Sequence, residues 1–156
     1  MLNPLVIVPA YTNSSDAVGQ VERRFFSNLP KDKFRPCIVC KNWGRFVDND
    51  YINVIRVHEL KSVVFLDKVI RKLRLTDLTY LPDYQRFSWG NNAAKKALAY
   101  IKKNHCDYIH TISNPCSAHL VGLKIKQKID VPWVAQFYDP WLDNPCRVIN
   151  NPYFRD

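Results

Sequence analysis

Short apolar runs alternate along this chain with longer stretches in which apolar residues recur every three or four positions. The short runs indicate strands and the longer stretches indicate helices, because side chains on one face repeat every two residues in a strand and about every 3.6 residues in a helix. This alternation predicts an α/β fold, a Rossmann-like parallel sheet flanked by helices. The predicted strands cover residues 5–8, 36–41, 51–58, 107–112 and 133–137.

The first helical stretch follows the first strand and a polar loop. Its apolar positions at helical spacing are Val18, Val21, Phe25 and Leu29. We expect these four side chains to pack inward, and Glu22 and Arg23 between them to face water. Ser15 or Asp16 is the expected N-cap, because both side chains can accept a hydrogen bond from the first turn.

A second helical stretch is strongly amphipathic. Its apolar stripe consists of Val63, Leu66, Ile70 and Leu73, and its basic face consists of Lys68, Arg71, Lys72 and Arg74. The pattern fits either a core helix or a helix that lies on an anionic membrane surface. Because four basic residues lie opposite the apolar stripe, we expect a membrane contact that salt weakens. Two further helices are predicted around residues 94–103 and 117–129. Residues 76–90 match neither period and are interpreted as a long loop of the kind that often carries function.

The length of 156 residues and the apolar share of 47% fit one domain over residues 1–156. The formal charge of +9 favours anionic partners, but the basic residues are spread over several predicted helices, which argues against a dedicated nucleic-acid site. No apolar run approaches the roughly 20 residues that span a bilayer, and the N-terminus has no basic leader. We therefore expect a cytoplasmic protein, peripheral at most on the inner face of the membrane.

Cysteine and histidine do not indicate a metal or redox site. Cys37 and Cys40 form a Cys-x-x-Cys within a predicted strand, where residues three apart point to opposite faces. We interpret them as core cysteines. The four histidines show no recognisable metal-binding spacing. The expectation is therefore no metal and no bound cofactor.

Three loops that follow strands contain side chains suited to binding. In parallel sheets, ligands bind at the carboxyl ends of the strands. The loop after the first strand leads to Gly19 near a helix start. Ser113 and Asn114 follow the fourth strand and offer a hydroxyl and an amide at another helix N-terminus. After the fifth strand come carboxylates, aromatic rings and an amide, which suit a general base and a sugar-stacking face: Tyr138, Asp139, Trp141, Asp143 and Asn144.

Two segments resemble the N-terminal domain of family 4 glycosyltransferases. One covers residues 107–124 and begins with Asp-Tyr-Ile-His-Thr-Ile-Ser-Asn-Pro, and the other covers residues 131–145 and contains Gln-Phe-Tyr-Asp-Pro-Trp at residues 136–141. The similarity extends over most of the chain, including the helix with Gly19 and the segment with Pro82, Arg86 and Trp89. The sequence departs from the family pattern Asp-Phe-Arg-Asp-Pro-Trp at Gln136 and Tyr138.

The resemblance implies the N-terminal half of a GT-B fold, in which this domain receives the acceptor and a C-terminal domain holds the nucleotide sugar. It implies a retaining, metal-independent hexosyltransferase of cell-surface polysaccharide or glycolipid synthesis, with a nucleotide sugar as co-substrate. Asp139 would then lie near the acceptor hydroxyl. Tyr138 and Trp141 would shape the sugar pocket, and Ser113, Asn114, Asp143, Asn144 and Gly19 would complete substrate binding.

The donor-binding half of such an enzyme has no counterpart within these 156 residues. We therefore expect the chain to be inactive alone, to pair with a C-terminal donor domain or partner chain, and to bind a sugar or lipid-linked acceptor. Self-association through the uncovered face is a further expectation. The alternative function is a non-catalytic membrane-docking subunit that pairs with a separate donor-binding chain. A free-standing nucleotide-binding or nucleic-acid-binding domain is a third interpretation, suggested by charge and topology.

Overall fold

The computed structural model of the chain describes residues 1–43, 51–75, 78, 84, 86–113 and 116–138. These residues form one five-stranded, fully parallel sheet with the strand order β3-β2-β1-β4-β5. The strands are β1 (Pro4–Ile7), β2 (Cys37–Lys41), β3 (Asn53–Val57), β4 (Tyr108–Ile112) and β5 (Trp133–Gln136). The α/β Rossmann-like fold predicted from the hydrophobic pattern is thereby confirmed, and each strand end lies within two residues of its predicted position.

Four helices and one short π-helical turn accompany the sheet in the described part of the chain. They are α1 (Ala17–Ser27), α2 (Lys61–Lys72), the π-helical turn (Arg86–Gly90), α3 (Asn91–Ile101) and α4 (Ser117–Lys126). The π-helical turn falls in the segment interpreted as a long loop, and it leads directly into α3. None of the helices in the described ranges is long and apolar enough to cross a membrane.

Each face of the sheet has its own core. On one face, small residues of α3 and α4 such as Ala94, Ala97 and Ala118 pack against Leu5 and Ile7. On the other face, α1 packs Phe26 and the loop before it packs Tyr11 against a second group that includes Val6, Val8 and Ile38. Because α1 follows β1 and α4 follows β4, the connections of these neighbouring strands leave the sheet toward opposite faces. A cleft at the carboxyl ends of β1 and β4 follows from this topology.

The two cysteines of the Cys-x-x-Cys belong to different cores. Cys37 packs with the α3 and α4 side, and Cys40 packs with the α1 side. Burial raises the pKa of the Cys37 thiol to about 12, which keeps it protonated. The interpretation of both as core cysteines is confirmed.

The predicted inward face of α1 is right only at its margin: Val18 and Leu29 pack against the core, but the buried side is rotated by about one residue, or about 100°, from the predicted one. Val21 and Phe25 are about half exposed, at 51% and 54%, whereas Glu22 and Arg23 are buried at 2% and 8%. The buried side of the helix consists of Gly19, Glu22, Arg23 and Phe26. The apolar pattern alone therefore did not predict that the charged side chains of Glu22 and Arg23 are buried.

The predicted apolar stripe of α2 is also corrected. Val63 and Ile70 are buried, but Leu66 and Leu73 are exposed. By contrast, the predicted inward residues of α3 are confirmed: Ala94 and Ala97 are fully buried, and Leu98 and Ile101 pack against the core.

Candidate functional site at the carboxyl ends of the strands

Gly19 allows α1 to approach the loop after β1 very closely. An added Cβ at this position would lie 2.3 Å from the carbonyl oxygen of Ala10 and 3.1 Å from that of Asn13. The Gly19 N–H donates to Asp16 Oδ1 at 3.0 Å, so Asp16 is the N-cap, which decides between the two predicted candidates. The described role of Gly19 is therefore close packing at the edge of the cleft, with its amide already hydrogen-bonded.

Arg23 holds the same loop from the inside of α1. Its guanidinium Nη1 donates to the carbonyl oxygen of Tyr11 and, at 3.1 Å, to that of Asn13. On the far side of the loop, the Thr12 hydroxyl donates to the carbonyl oxygen of Lys41 at the end of β2 at 2.7 Å. The loop after β1 is thus hydrogen-bonded both to α1 and to the end of β2, which restrains its position at the carboxyl ends of the strands.

Ser113 and Tyr138 come together where β4 and β5 end. The Tyr138 N–H donates to Ser113 Oγ at 3.3 Å, and the Ser113 N–H donates to the carbonyl oxygen of Gln136 at 3.1 Å. Ser113 is buried, whereas 42% of Tyr138 is exposed. Two of the loops predicted to bind substrate are therefore in direct contact, and Tyr138 is the more exposed of the two residues.

Glu22 on α1 connects the helix to the end of β5. Its Oε1 accepts a hydrogen bond from the Tyr138 hydroxyl and a longer one, 3.4 Å, from Gln136 Nε2. The Gln136 Oε1 in turn lies 3.0 Å from His110 Nε2 in the neighbouring strand β4. A polar chain of four side chains thus runs from the sheet through the buried carboxylate to the exposed tyrosine.

The protonation states of this chain follow from burial. Burial raises the pKa of Glu22, and the hydrogen bonds from Tyr138 and Gln136 oppose the rise in part. Burial, together with the Glu22 carboxylate, raises the pKa of Tyr138 to about 12, so the phenol keeps its proton at neutral pH. Burial lowers the pKa of His110. Tyr138 is therefore a hydrogen-bond donor whose orientation is set by Glu22, not a base.

His119 on α4 contacts both β4 and the residue that follows β5. Its Nδ1 shares a hydrogen bond of 2.8 Å with Thr111 Oγ1, which also accepts from the Trp133 indole N–H at 2.9 Å. The imidazole is tilted by 30° against the Phe137 ring, with a centroid distance of 4.1 Å. His119 Nε2 is buried and has no hydrogen-bond partner in the described structure. This environment favours the neutral imidazole, and burial lowers the pKa of His119 to about 4.

Acidification is expected to destabilise the protein through His119. Between pH 6.5, the ordinary pKa of histidine, and the folded pKa of about 4, the unfolded chain binds more protons than the folded one, so stability falls as pH falls. From pH 7 to pH 5 we expect a loss of about 2 kcal/mol from this residue. The variant His119→Phe keeps the ring and lacks the titration. Denaturant unfolding of both proteins at the two pH values should show the smaller loss in the variant, and equal losses would contradict the assignment.

The structure brings together part of the predicted site. Ser113, Tyr138 and Gly19 lie along the same edge of the sheet, at the ends of β4 and β5 and beside the end of β1. The other predicted site residues fall outside the described residues and stay predictions: Asn114, Asp139, Trp141, Asp143 and Asn144. Sequence reasoning missed Glu22 and His119. The burial of Glu22 could have been suspected from helical spacing, because Gly19, Glu22, Arg23 and Phe26 also form one continuous face of the helix.

The described residues contain no group of three side chains that could hold a metal ion. A scan against protein-family models finds no match, and a search of curated proteins finds no match either. The fold and the contacts define this chain as an α/β Rossmann-like domain in which Ser113, Tyr138 and the buried Glu22 come together at the carboxyl ends of the strands.

Proposed function

We propose that this chain is the acceptor-binding domain of a retaining, metal-independent glycosyltransferase that uses a nucleotide-sugar donor. The observation that carries the proposal is the contact between Tyr138 and Glu22 at the carboxyl ends of the strands. It fixes a half-exposed aromatic ring at the position where a parallel sheet binds its ligands. The ring face suits the C–H face of a pyranose, and nearby polar groups suit its hydroxyls.

The resemblance supplies the reaction class. The acceptor oxygen bonds to the anomeric carbon on the same face from which the nucleoside diphosphate departs, so the configuration is retained. The bond from the anomeric carbon to the diphosphate breaks, and the departing phosphate takes up the hydroxyl proton. In this proposal Ser113 and Tyr138 help to position the acceptor, Glu22 orients Tyr138, and Asp139, the next residue, lies near the reacting hydroxyl. The groups that stabilise the departing diphosphate belong to the donor-binding domain in the family. In this proposal the chain works together with that donor-binding domain, and the products of the complete enzyme are polysaccharides or glycolipids of the cell surface.

The proposal predicts weak, Tyr138-dependent saccharide binding by the 156-residue chain. Alkyl glycosides of common hexoses, observed by saturation-transfer NMR, serve as probes. We expect at least one glycoside to bind, and Tyr138→Ala to weaken that binding about tenfold because the stacking face is lost. Tyr138→Phe keeps the face and loses the hydroxyl that Glu22 orients, so its effect should be smaller.

The matched control is Phe65→Ala, which removes an exposed aromatic ring on α2, a helix that contributes none of the site residues named above. It should leave glycoside binding unchanged. The same samples, incubated with nucleotide sugars, are expected to release no nucleoside diphosphate in an acceptor-dependent way. Failure to bind any glycoside, or equal binding by Tyr138→Ala, would reject the acceptor site. Sustained turnover by the chain alone would reject its description as one half of the enzyme.

A further inference from the structure

The outer surface of α2 combines an uncovered apolar stripe with basic charge. Phe65, Val69 and Leu73 recur every four residues, and Leu66 lies beside them. Their exposed fractions are 69%, 37%, 62% and 42%. These four residues, named here the α2 stripe, differ from the stripe predicted by periodicity, because Val63 and Ile70 face the protein interior. Large side chains in a contiguous exposed stripe indicate an interaction surface.

Charge surrounds the α2 stripe asymmetrically. Five basic residues lie between positions 61 and 75, all of them exposed: Lys61, Lys68, Arg71, Lys72 and Arg74. Asp67 is the acidic residue in this segment, and it is partly buried and accepts a hydrogen bond from the Tyr84 hydroxyl. By helical geometry, Lys61, Lys68 and Lys72 flank the stripe on the side away from the buried Val63 and Ile70. The stripe is thus bordered by the protein core on one side and by cationic side chains on the other.

The residue that follows the C-cap of α2 is Arg74, and its backbone conformation is unfavourable for a residue with a side chain. Arg74 has φ 57°, in the left-handed region that favours glycine. The Leu75 N–H donates to the carbonyl oxygen of Ile70 at 3.0 Å, and the Arg74 N–H donates to that of Arg71 at 3.1 Å. This pair of bonds is a Schellman motif, which commonly has glycine at the position of Arg74. A cationic side chain therefore occupies a position where the backbone favours glycine.

We propose that the α2 stripe and its basic border dock this protein onto an anionic lipid bilayer. A helix with this arrangement lies in the interface plane, with its apolar side chains among the acyl chains and its lysines extended to the headgroups. Charge complementarity favours an anionic lipid surface over a second copy of the chain as the partner of the α2 stripe. A second copy of the chain would place the same cationic border against itself, whereas anionic headgroups neutralise it. The proposal does not depend on the saccharide site, whose described residues belong to α1 and to the ends of β4 and β5.

Vesicle co-sedimentation with the full 156-residue chain tests the docking. Vesicles of phosphatidylcholine alone are compared with vesicles containing about 30% phosphatidylglycerol. We expect binding to the anionic vesicles, and a severalfold weakening when salt rises from about 0.05 M to about 0.5 M, because screening shortens the reach of the charges. The double variant Phe65→Ser and Leu73→Ser should weaken binding at both salt concentrations, since it removes the apolar contact.

Arg74→Gly separates docking from folding. Glycine relieves the left-handed backbone, so thermal unfolding should show an equal or higher Tm. The lost charge should nevertheless weaken binding to anionic vesicles about fivefold, while Arg74→Lys should retain it. Lys103→Gln, which removes an exposed charge at the end of α3, is the matched control for net charge.

Three results would overturn the proposal: no binding to anionic vesicles, binding that ignores salt, or an equal loss in Arg74→Gly and Lys103→Gln. The last would mean that the overall charge of +9, not the α2 surface, attracts the lipid. Binding of an acidic protein through the same stripe, with vesicles ignored, would assign the surface to a protein partner instead. Tyr138→Ala should bind vesicles like the unmodified chain, so failure of the saccharide site and failure of docking are distinguishable.

Discussion

Replacement of Gly19 by alanine is expected to lower the free energy of unfolding by about 3 kcal/mol. In an ordinary helix interior the same change stabilises by about 1 kcal/mol, because alanine has the higher helix propensity. Here the added Cβ would lie 2.3 Å from the Ala10 carbonyl oxygen, a backbone atom that cannot move without the whole loop. The clash therefore outweighs the propensity gain, and the sign of the effect reverses.

Urea denaturation measures this prediction, with Arg24→Ala as the control. Arg24 is exposed on the same helix, so its truncation should change stability by no more than about 0.5 kcal/mol. A stabilised Gly19→Ala variant would mean that α1 does not approach the loop as closely as described. Because Asp16, Glu22 and Arg23 depend on the same approach, the variant should also weaken glycoside binding at Tyr138.

The second large effect is expected from Trp89→Ala, which should lower the free energy of unfolding by about 4 kcal/mol. Trp89 belongs to the π-helical turn Arg86–Gly90 and is fully buried among residues of α3, α4 and the sheet. The resemblance had included it in a segment interpreted as a functional loop. The structure places its side chain in the core, where removal leaves a large cavity.

Trp89→Phe refines the same prediction. The Trp89 indole Nε1 is buried and has no hydrogen-bond partner in the described structure. Phenylalanine loses volume but also removes this unsatisfied donor, so the cost should be only about 1 kcal/mol. Phe87→Ala, in the same turn but 57% exposed, is the matched control and should be close to neutral. If Trp89→Phe were as damaging as Trp89→Ala, the indole N–H would have a partner that matters for stability.

The candidate site depends on groups that come together from distant parts of the chain. Glu22 and Tyr138 are 116 residues apart in sequence, yet they share a hydrogen bond. A buried carboxylate without such donors would be strongly unfavourable, so the end of β5 is part of what allows Glu22 to face inward. The stability of α1 and the orientation of the exposed ring are therefore coupled.

The strands and the fold class could be predicted from the sequence because they depend on local pattern. Residues of β1 are buried at each position of Pro4–Ile7, as expected for a central strand of a parallel sheet covered on both sides. The Cys37 and Cys40 assignment followed from the two-residue period of a strand, and the Asp16 cap followed from local hydrogen bonding. Each of these features involves residues close together along the chain.

The inward face of α1 was decided by the tertiary structure. Periodicity shows that a helix has a preferred side, but Val21 and Phe25 lie on one side of α1 and are exposed, whereas Gly19, Glu22 and Phe26 form the next side and are buried. Val18 lies between the two and packs against the core. The close approach at Gly19 selects the second side, and hydrogen bonds from Tyr138 and Gln136 compensate the buried Glu22. On α2 the reverse happened: Leu66 and Leu73 match the core pattern but lie outside, because the helix meets the protein through Val63 and Ile70. A sequence records which side chains are apolar, whereas the surface that each helix meets is created by residues far away in the chain.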